Sequence, residues 1–285
     1  MVVAISGSSG LIGTHLRRKF TEKGWVIVEL KRNDFLLPDE DFVPKLINAD
    51  VIVNLAGAPV SKRWTSIHKK EMRDSRLITT AKIVKSIDLL NDKPRLLISA
   101  SAVGIYEAEK QHTETSTDYS RDFLGRLCQD WEREASRVHS DTRLIIARIG
   151  VVLDREKGAL PSMIKPFKYG LGGKIHTGKQ SFPWVHVEDV VASFLYFIEN
   201  ESTSGIYNIT APQQIDNLLL TKTICRFLKK PAFFRVPKLV LKITFGEGAG
   251  MILNAPSVIP ERLLDSGYRF KYLTIKSALK DLIGS

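Results

Sequence analysis

The sequence predicts an α/β fold: a doubly wound parallel sheet followed by a smaller, mostly helical C-terminal lobe. Three observations carry that prediction. Short apolar runs alternate with segments of helical spacing from the first residue onward. A glycine-rich turn joins the first apolar run to the first helical segment. The alternation fades after about residue 155, where loops and prolines become frequent. Apolar runs without polar alternation belong to strands covered on both faces, and helices supply that cover.

Val2 to Ser6 is apolar and β-branched and stops at Gly7. Leu11 to Lys23 follows, with Leu11, Ile12, Leu16 and Phe20 at helical spacing and Gly24 at its end. Trp25 to Leu30 and Asp50 to Ala56 are the second and third expected strands. Ile67 to Leu90 reads as one long helix and Arg95 to Ala100 as the fourth strand. Phe123, Leu124, Leu127, Cys128 and Trp131 then form a helical stripe. Leu144 to Val152 is the fifth strand, and Gly170 to Gly173 and Thr177 to Pro183 are expected loops. Val187 to Glu199 returns to helix and Gly205 to Ile209 to strand. Beyond Pro212, three or four helices are expected between Pro231, Pro237, Pro256 and Pro260.

The 285 residues are 44% hydrophobic, enough for a sizeable core. No apolar run nears the roughly 18 residues of a membrane helix. The opening MVVAISGSSG lacks a basic region and a cleavage pattern. Neither a membrane partner nor a secretory signal is therefore expected. Cys128 and Cys225 are the two cysteines, and neither they nor the six histidines show ligand spacing, so no metal is expected. Free thiols point to a reducing, cytoplasmic setting. The basic residues behind the net charge of +11 are spread out rather than blocked, with no aromatic RNA-binding strand or zinc finger. Nucleic acid is therefore not expected, and phosphate-bearing small ligands suit the charge better.

The strongest local signal is Gly7-Ser8-Ser9-Gly10-Leu11-Ile12-Gly13, spaced GxxGxxG directly between a strand and a helix. Gly7 permits the tight turn, Gly10 lets backbone amides approach a pyrophosphate, and Gly13 lets helix and strand pack closely. The helix N-terminus then offers N–H groups and a positive dipole end to phosphates. The chain is thus expected to bind a dinucleotide on a Rossmann-type sheet. An NAD site usually carries an acid at the tip of the second strand, to accept from the ribose 2′-hydroxyl. Here that tip reads Leu30-Lys31-Arg32-Asn33, with Glu29 inside the strand. Lys31 and Arg32 suit a 2′-phosphate, so NADP(H) is favoured over NAD(H).

These residues resemble the extended short-chain dehydrogenase/reductases, in particular an atypical subgroup called epimerase family proteins. The resemblance rests on GSSGLIG, NLAG at Asn54 to Gly57, KRW at Lys62 to Trp64, Ser75-Arg76, and SASAVGIYE at Ser99 to Glu107. It continues through Trp131-Glu132, RIGVVL at Arg148 to Leu153, GLGG, the stretch Phe182 to His186 with Asp189, YNITAP, Val258 to Pro260 and Gly267 to Phe270. It therefore covers nearly the whole chain. It implies a dinucleotide-binding unit over 1–155 that also receives about 184–210, and a substrate lobe formed by 156–183 and 211–285. It implies that Asn54, Leu55, Ala56 and Gly57 lie along the adenosine half of the cofactor, and that Arg148 to Val151 approach the nicotinamide end. Ser99 falls beside the cofactor. A small polar or anionic substrate would bind in the lobe, and a homodimer is left open beside a monomer.

The same resemblance exposes a gap. The superfamily's chemistry uses a Ser, a Tyr and a Lys, the Lys lowering the Tyr pKa while the Tyr moves a proton. Ser101 fills the Ser position. Leu124 and Cys128 stand where the Tyr and Lys are expected, and neither can replace them. Tyr106, just past the fourth strand, is the candidate substitute; packing with a bonded hydroxyl is its plainer role. Arg76, Trp184 and His186 are candidates for substrate contact, each with a structural alternative. Two functions follow: an NADP-dependent oxidoreductase or epimerase-type enzyme of unknown substrate, or a cofactor-binding sensor without catalysis.

Overall fold

The computed structural model describes residues 1–231 and 234–284. At its centre is a six-stranded parallel sheet of β1 (Val2–Ser6), β2 (Val26–Leu30), β3 (Val51–Asn54), β4 (Leu96–Ala102), β5 (Arg143–Ile149) and β6 (Gly205–Ile209). Their spatial order is β6-β5-β4-β3-β1-β2. The order reverses between β1 and β3, and open α/β sheets bind ligands at that reversal, beyond the carboxyl ends of the strands.

Strand periodicity of two sorts the side chains onto two faces. Val3, Ile5, Val51, Val53, Leu96 and Ile98 share a core with Leu16 and Phe20 of α1 (Leu11–Glu22) and with Val190 and Phe194 of α4 (Val187–Glu199). Ala4, Ile52 and Leu97 pack on the opposite face against Ile83, Val84 and Ile87 of α2 (Ser66–Leu89). Helix α3 (Phe123–Ala135) lies beside α2. By the same periodicity Ser6, Asn54, Ser99, Ser101 and Arg148 point to the α2/α3 face. That face therefore turns polar at the carboxyl end of the sheet.

A second core joins the helices Ala159–Lys168, Asn217–Leu228 and Ile275–Ile283 around Trp184 and Tyr272. The strand pair Gly173–Ile175 and Phe234–Val236 flanks it, and the helix Lys238–Phe245 follows. The two cores are tied by the late chain. Leu263, Tyr268 and Phe270 belong to the sheet's core. The buried Asp189 carboxylate accepts from the Lys271 and Tyr272 backbone N–H groups at 2.7 and 3.0 Å, and Tyr268 donates to the Asp189 carbonyl at 2.9 Å.

The expected fifth strand is broken at Gly150, where a Cβ would lie 2.5 Å from the Pro183 carbonyl oxygen. Val151–Leu153 pairs instead with Trp184–His186. Gly173, expected in a loop, opens a strand. Beyond Pro212 the described residues form five helices, not three or four.

Candidate functional site

The glycine turn has the backbone that its spacing implies. Gly7 sits at φ +68°, a left-handed conformation that favours glycine, and a Cβ there would lie 2.7 Å from the Leu55 carbonyl oxygen. Gly10 closes the turn by donating to the Gly7 carbonyl at 3.0 Å. A Cβ on Gly13 would lie 2.2 Å from that same oxygen, so only glycine lets α1 start this close to β1. No side chain caps α1 and no acid stands in its first turn. Its leading N–H groups are left to an anion, which is the donor set a pyrophosphate requires. Leu11 reaches across to Gly158, and Ile12 packs on the sheet core.

Ser6 orders the neighbouring loop. Its hydroxyl donates to the Asn54 side chain at 2.7 Å and accepts from the Leu55 and Ala56 N–H groups at 3.1 and 3.2 Å. Leu55, Ala56 and Gly57 are thereby held beside the cradle. Ser9 is exposed on its rim, while Ser8 donates to Glu29 at 2.7 Å. Arg17 also pairs with Glu29, at 2.9 Å, so this acid is neutralised internally. Lys31 and Arg32 stand exposed just past β2; the Arg32 guanidinium donates to Glu71 at 3.3 Å.

Arg76 enters from α2 at the far side of the loop. Its guanidinium donates to the Ala58 and Met72 carbonyls at 3.1 and 3.0 Å, and lies 5.2 Å from the Trp131 ring centroid. A Cβ on Gly57 would come within 2.8 Å of its central carbon. Burial lowers its pKa, with Cys128 opposing. Arg76 is thus a half-buried cation without a carboxylate partner among the described residues.

The expected reaction centre is closed. Leu124, Cys128 and Glu132 repeat every four residues and share one face of α3. Ser101 donates to Glu132 at 2.6 Å, and its hydroxyl meets the Cys128 thiol. Burial pushes that thiol up to about 12, so it is not a nucleophile near neutrality. Arg148 clamps the same carboxylate through Nε and Nη2 at 2.8 and 2.7 Å. Burial opposes the Arg148 charge, but the Glu132 carboxylate more than offsets it and raises its pKa. The chain continues as Arg148 donates to Tyr106 at 2.8 Å and Tyr106 to Asn208 at 2.8 Å. The Asn208 N–H donates to Glu114 at 2.9 Å. Burial raises the Glu114 pKa.

Four of the candidate residues are engaged inside the protein. Tyr106 is 2% exposed, its ring stacked on His112 and its hydroxyl fixed on both sides by Arg148 and Asn208. Burial raises its pKa, with Arg148 opposing. Arg148 is an internal brace whose guanidinium is taken up by Glu132, Tyr106 and Tyr119. Trp184 is buried in the second core and donates to the Gln213 carbonyl at 3.2 Å. His186 caps α4 by accepting from the Glu188 N–H at 3.1 Å, stacks on Tyr272, and is held below its ordinary pKa by burial. Ser99 is buried one pleat below Ser101, and among the described residues its hydroxyl has no hydrogen-bond partner.

Glu132, Asn208 and Glu114 were given no role on sequence grounds. The four-residue repeat from Leu124 through Cys128 to Glu132 was a signal for the first; nothing local marks the other two. Among the described residues no group of three or more His, Cys, Asp or Glu could hold a metal ion, and no helix is long and apolar enough to cross a membrane.

The family model described as the NAD dependent epimerase/dehydratase family matches residues 3–210. The chain belongs to that family. A second model, a domain of unknown function (DUF1731), matches residues 236–282. Epimerase family protein YfhF of Bacillus subtilis (strain 168) is 36% identical over 298 residues, covering 99% of this chain and 98% of that protein. Epimerase family protein SA0724 of Staphylococcus aureus (strain N315) is 34% identical over 295 residues, covering 98% of each. The crystal structure of human epimerase family protein SDR39U1 (isoform 2) with NADPH superposes with a TM-score of 0.91 at 30% identity, covering 99% of both chains. In this member of the epimerase/dehydratase family the glycine cradle is complete, while the side chains beside Ser101 bond to one another.

Proposed function

We propose that the chain binds NADP(H) and acts as an oxidoreductase or epimerase-type enzyme on a small polar or anionic substrate, without a Tyr–Lys pair. The observation that carries the reading is the cradle: glycines at 7, 10 and 13 let the turn, the Leu55 loop and the start of α1 pack closely, and the helix start is uncapped by any side chain. Leu55 to Gly57 would border the adenosine half, and Lys31 and Arg32 would take the 2′-phosphate. The internal pairing of Glu29 with Ser8 and Arg17 removes the acid that would otherwise repel it. The human relative crystallised with NADPH supports the same preference. The nicotinamide, when bound, would supply or accept hydride. This chain's own part is to position a substrate between the sheet's carboxyl edge and the 156–183 and 211–285 lobe, with Arg76 as the available cation.

The test is a fluorescence titration with NADPH and NADH, repeated on Arg32→Glu. NADPH is expected to bind more tightly, and the variant to lose at least about tenfold for NADPH alone, a loss of about 1.4 kcal/mol. Equal losses for both cofactors would remove the 2′-phosphate role.

A second reading, a cofactor-binding sensor without catalysis, is favoured by one observation. Ser101, Glu132, Arg148 and Tyr106 satisfy one another and leave no free acid or base among them. Cofactor binding without oxidation of NADPH across a panel of carbonyl compounds would favour that reading.

A further inference from the structure

The chain's excess charge is segregated. Residues 159–182 hold four Lys or Arg and residues 217–246 hold seven, and neither segment contains an Asp or Glu. These eleven cations equal the net charge of the whole chain, +11. The two segments form one body, because the helix Ala159–Lys168 packs on Asn217–Leu228 and the strand Gly173–Ile175 pairs with Phe234–Val236. Among the described residues none of the eleven meets a carboxylate, whereas cations elsewhere do, such as Lys69 with Glu247 and Lys271 with Glu188. Instead they meet each other: Lys174 lies opposite Arg235 in register, and Arg235 reaches His176 at 3.2 Å.

Large apolar side chains stand exposed on the same body. Tyr169 is 73% exposed, Leu171 61%, Phe234 52%, Leu239 65% and Ile243 63%. On the helix Lys238–Phe245, Leu239, Val240 and Ile243 share one face, opposite the buried Leu241, with Lys238 and Lys242 beside them.

We propose that the exposed face of the helix Lys238–Phe245 is a peripheral docking surface for anionic lipid bilayers. Unpaired lysines around exposed aliphatic and aromatic residues match a headgroup layer, which accepts apolar side chains at shallow depth and attracts cations from within a Debye length. Nucleic acid would match the charge but leave Leu239, Val240 and Ile243 uncovered. A protein partner fits less well, because lysine is depleted from protein interfaces, where arginine dominates. The lack of a spanning helix among the described residues concerns insertion, and surface contact is a separate question. The inference does not depend on the cofactor reading.

The experiment is co-sedimentation with vesicles of phosphatidylcholine alone or mixed with phosphatidylglycerol. The wild-type chain is expected to partition onto the anionic vesicles only, and less so as salt rises. The exposed-site variant Lys238→Gln/Lys242→Gln is expected to lower partitioning about thirtyfold, from two lysines near an anionic surface. Leu239→Ser/Ile243→Ser should remove the part that survives high salt, and unchanged melting of both variants shows that they remain folded. Absence of wild-type binding to anionic vesicles, or binding indifferent to both variants, overturns the proposal. Tighter binding to a DNA duplex than to anionic vesicles, unaffected by Leu239→Ser/Ile243→Ser, would give the face to nucleic acid and overturn it equally.

Discussion

The glycine cradle and the Ser101 cluster lie at the carboxyl edge of one sheet, yet they are built on opposite plans. In the cradle, no side chain caps the helix start among the described residues, and glycines let the turn, the Leu55 loop and α1 approach one another closely. In the cluster, every strong polar group turns inward. Ser101, Arg148 and Tyr106 are each bonded to another side chain, and Glu132 receives three donors. A ligand meets backbone amides at the first site and a sealed surface at the second. Binding and chemistry can therefore change separately in such a fold: the cradle depends on three absent Cβ atoms, and the cluster on pairs of charges that must change together.

The comparison can be broken at the cradle first, where the largest effect is expected. Gly13→Val places a branched side chain where even a Cβ would lie 2.2 Å from a backbone oxygen, so NADPH affinity should vanish while circular dichroism reports the remaining structure. Unaltered affinity would refute the cradle. Next is Glu132→Gln, which leaves Arg148 charged and buried; urea unfolding should record a loss of about 3–5 kcal/mol. The double change Glu132→Leu/Arg148→Met should cost less than that, since no lone charge remains, and a larger loss would contradict the pairing. Tyr106→Phe removes a hydroxyl that both accepts and donates, for about 1–3 kcal/mol of stability. If the cluster is sealed, the variant's NADPH affinity and any turnover should be unchanged; lost turnover would return Tyr106 to the chemistry.

The smallest expected effect is a pH dependence in the lobe. Burial holds the His186 pKa below its ordinary 6.5, so the neutral ring is the form that fits. As pH falls, the unfolded chain takes up this proton before the folded one. The contribution is therefore present above about 6.5 and is lost progressively below it. Thermal unfolding across this range should show a steeper acid-side decline for the wild type than for His186→Gln; parallel profiles would remove the assignment.

The fold was legible because its strands are continuous apolar runs. Val187 to Glu199 and Gly205 to Ile209 were bounded correctly from such patterns alone. The cradle was legible because glycine spacing is a local code. The stretch around Trp184 and His186 left two roles open, because a mixture of aromatic and polar residues looks the same whether it lines a cleft or a core. Only the pairing of Val151–Leu153 with Trp184–His186 turns both side chains inward. The Ser101 cluster draws on β4, α3, β5, β6 and the segment holding Glu114, and no local pattern states that those five meet.

One consequence concerns how the molecule is made. Residues 1–210 contain every strand of the central sheet, yet Leu263, Tyr268 and Phe270 complete its core, and Lys271 and Tyr272 bind Asp189. A nascent chain emerging from the ribosome therefore holds an unfinished sheet until some sixty further residues have appeared. A fragment cut at 210 would present bare apolar floor over α4 and should aggregate, because exposed apolar surface in an incomplete fold drives association.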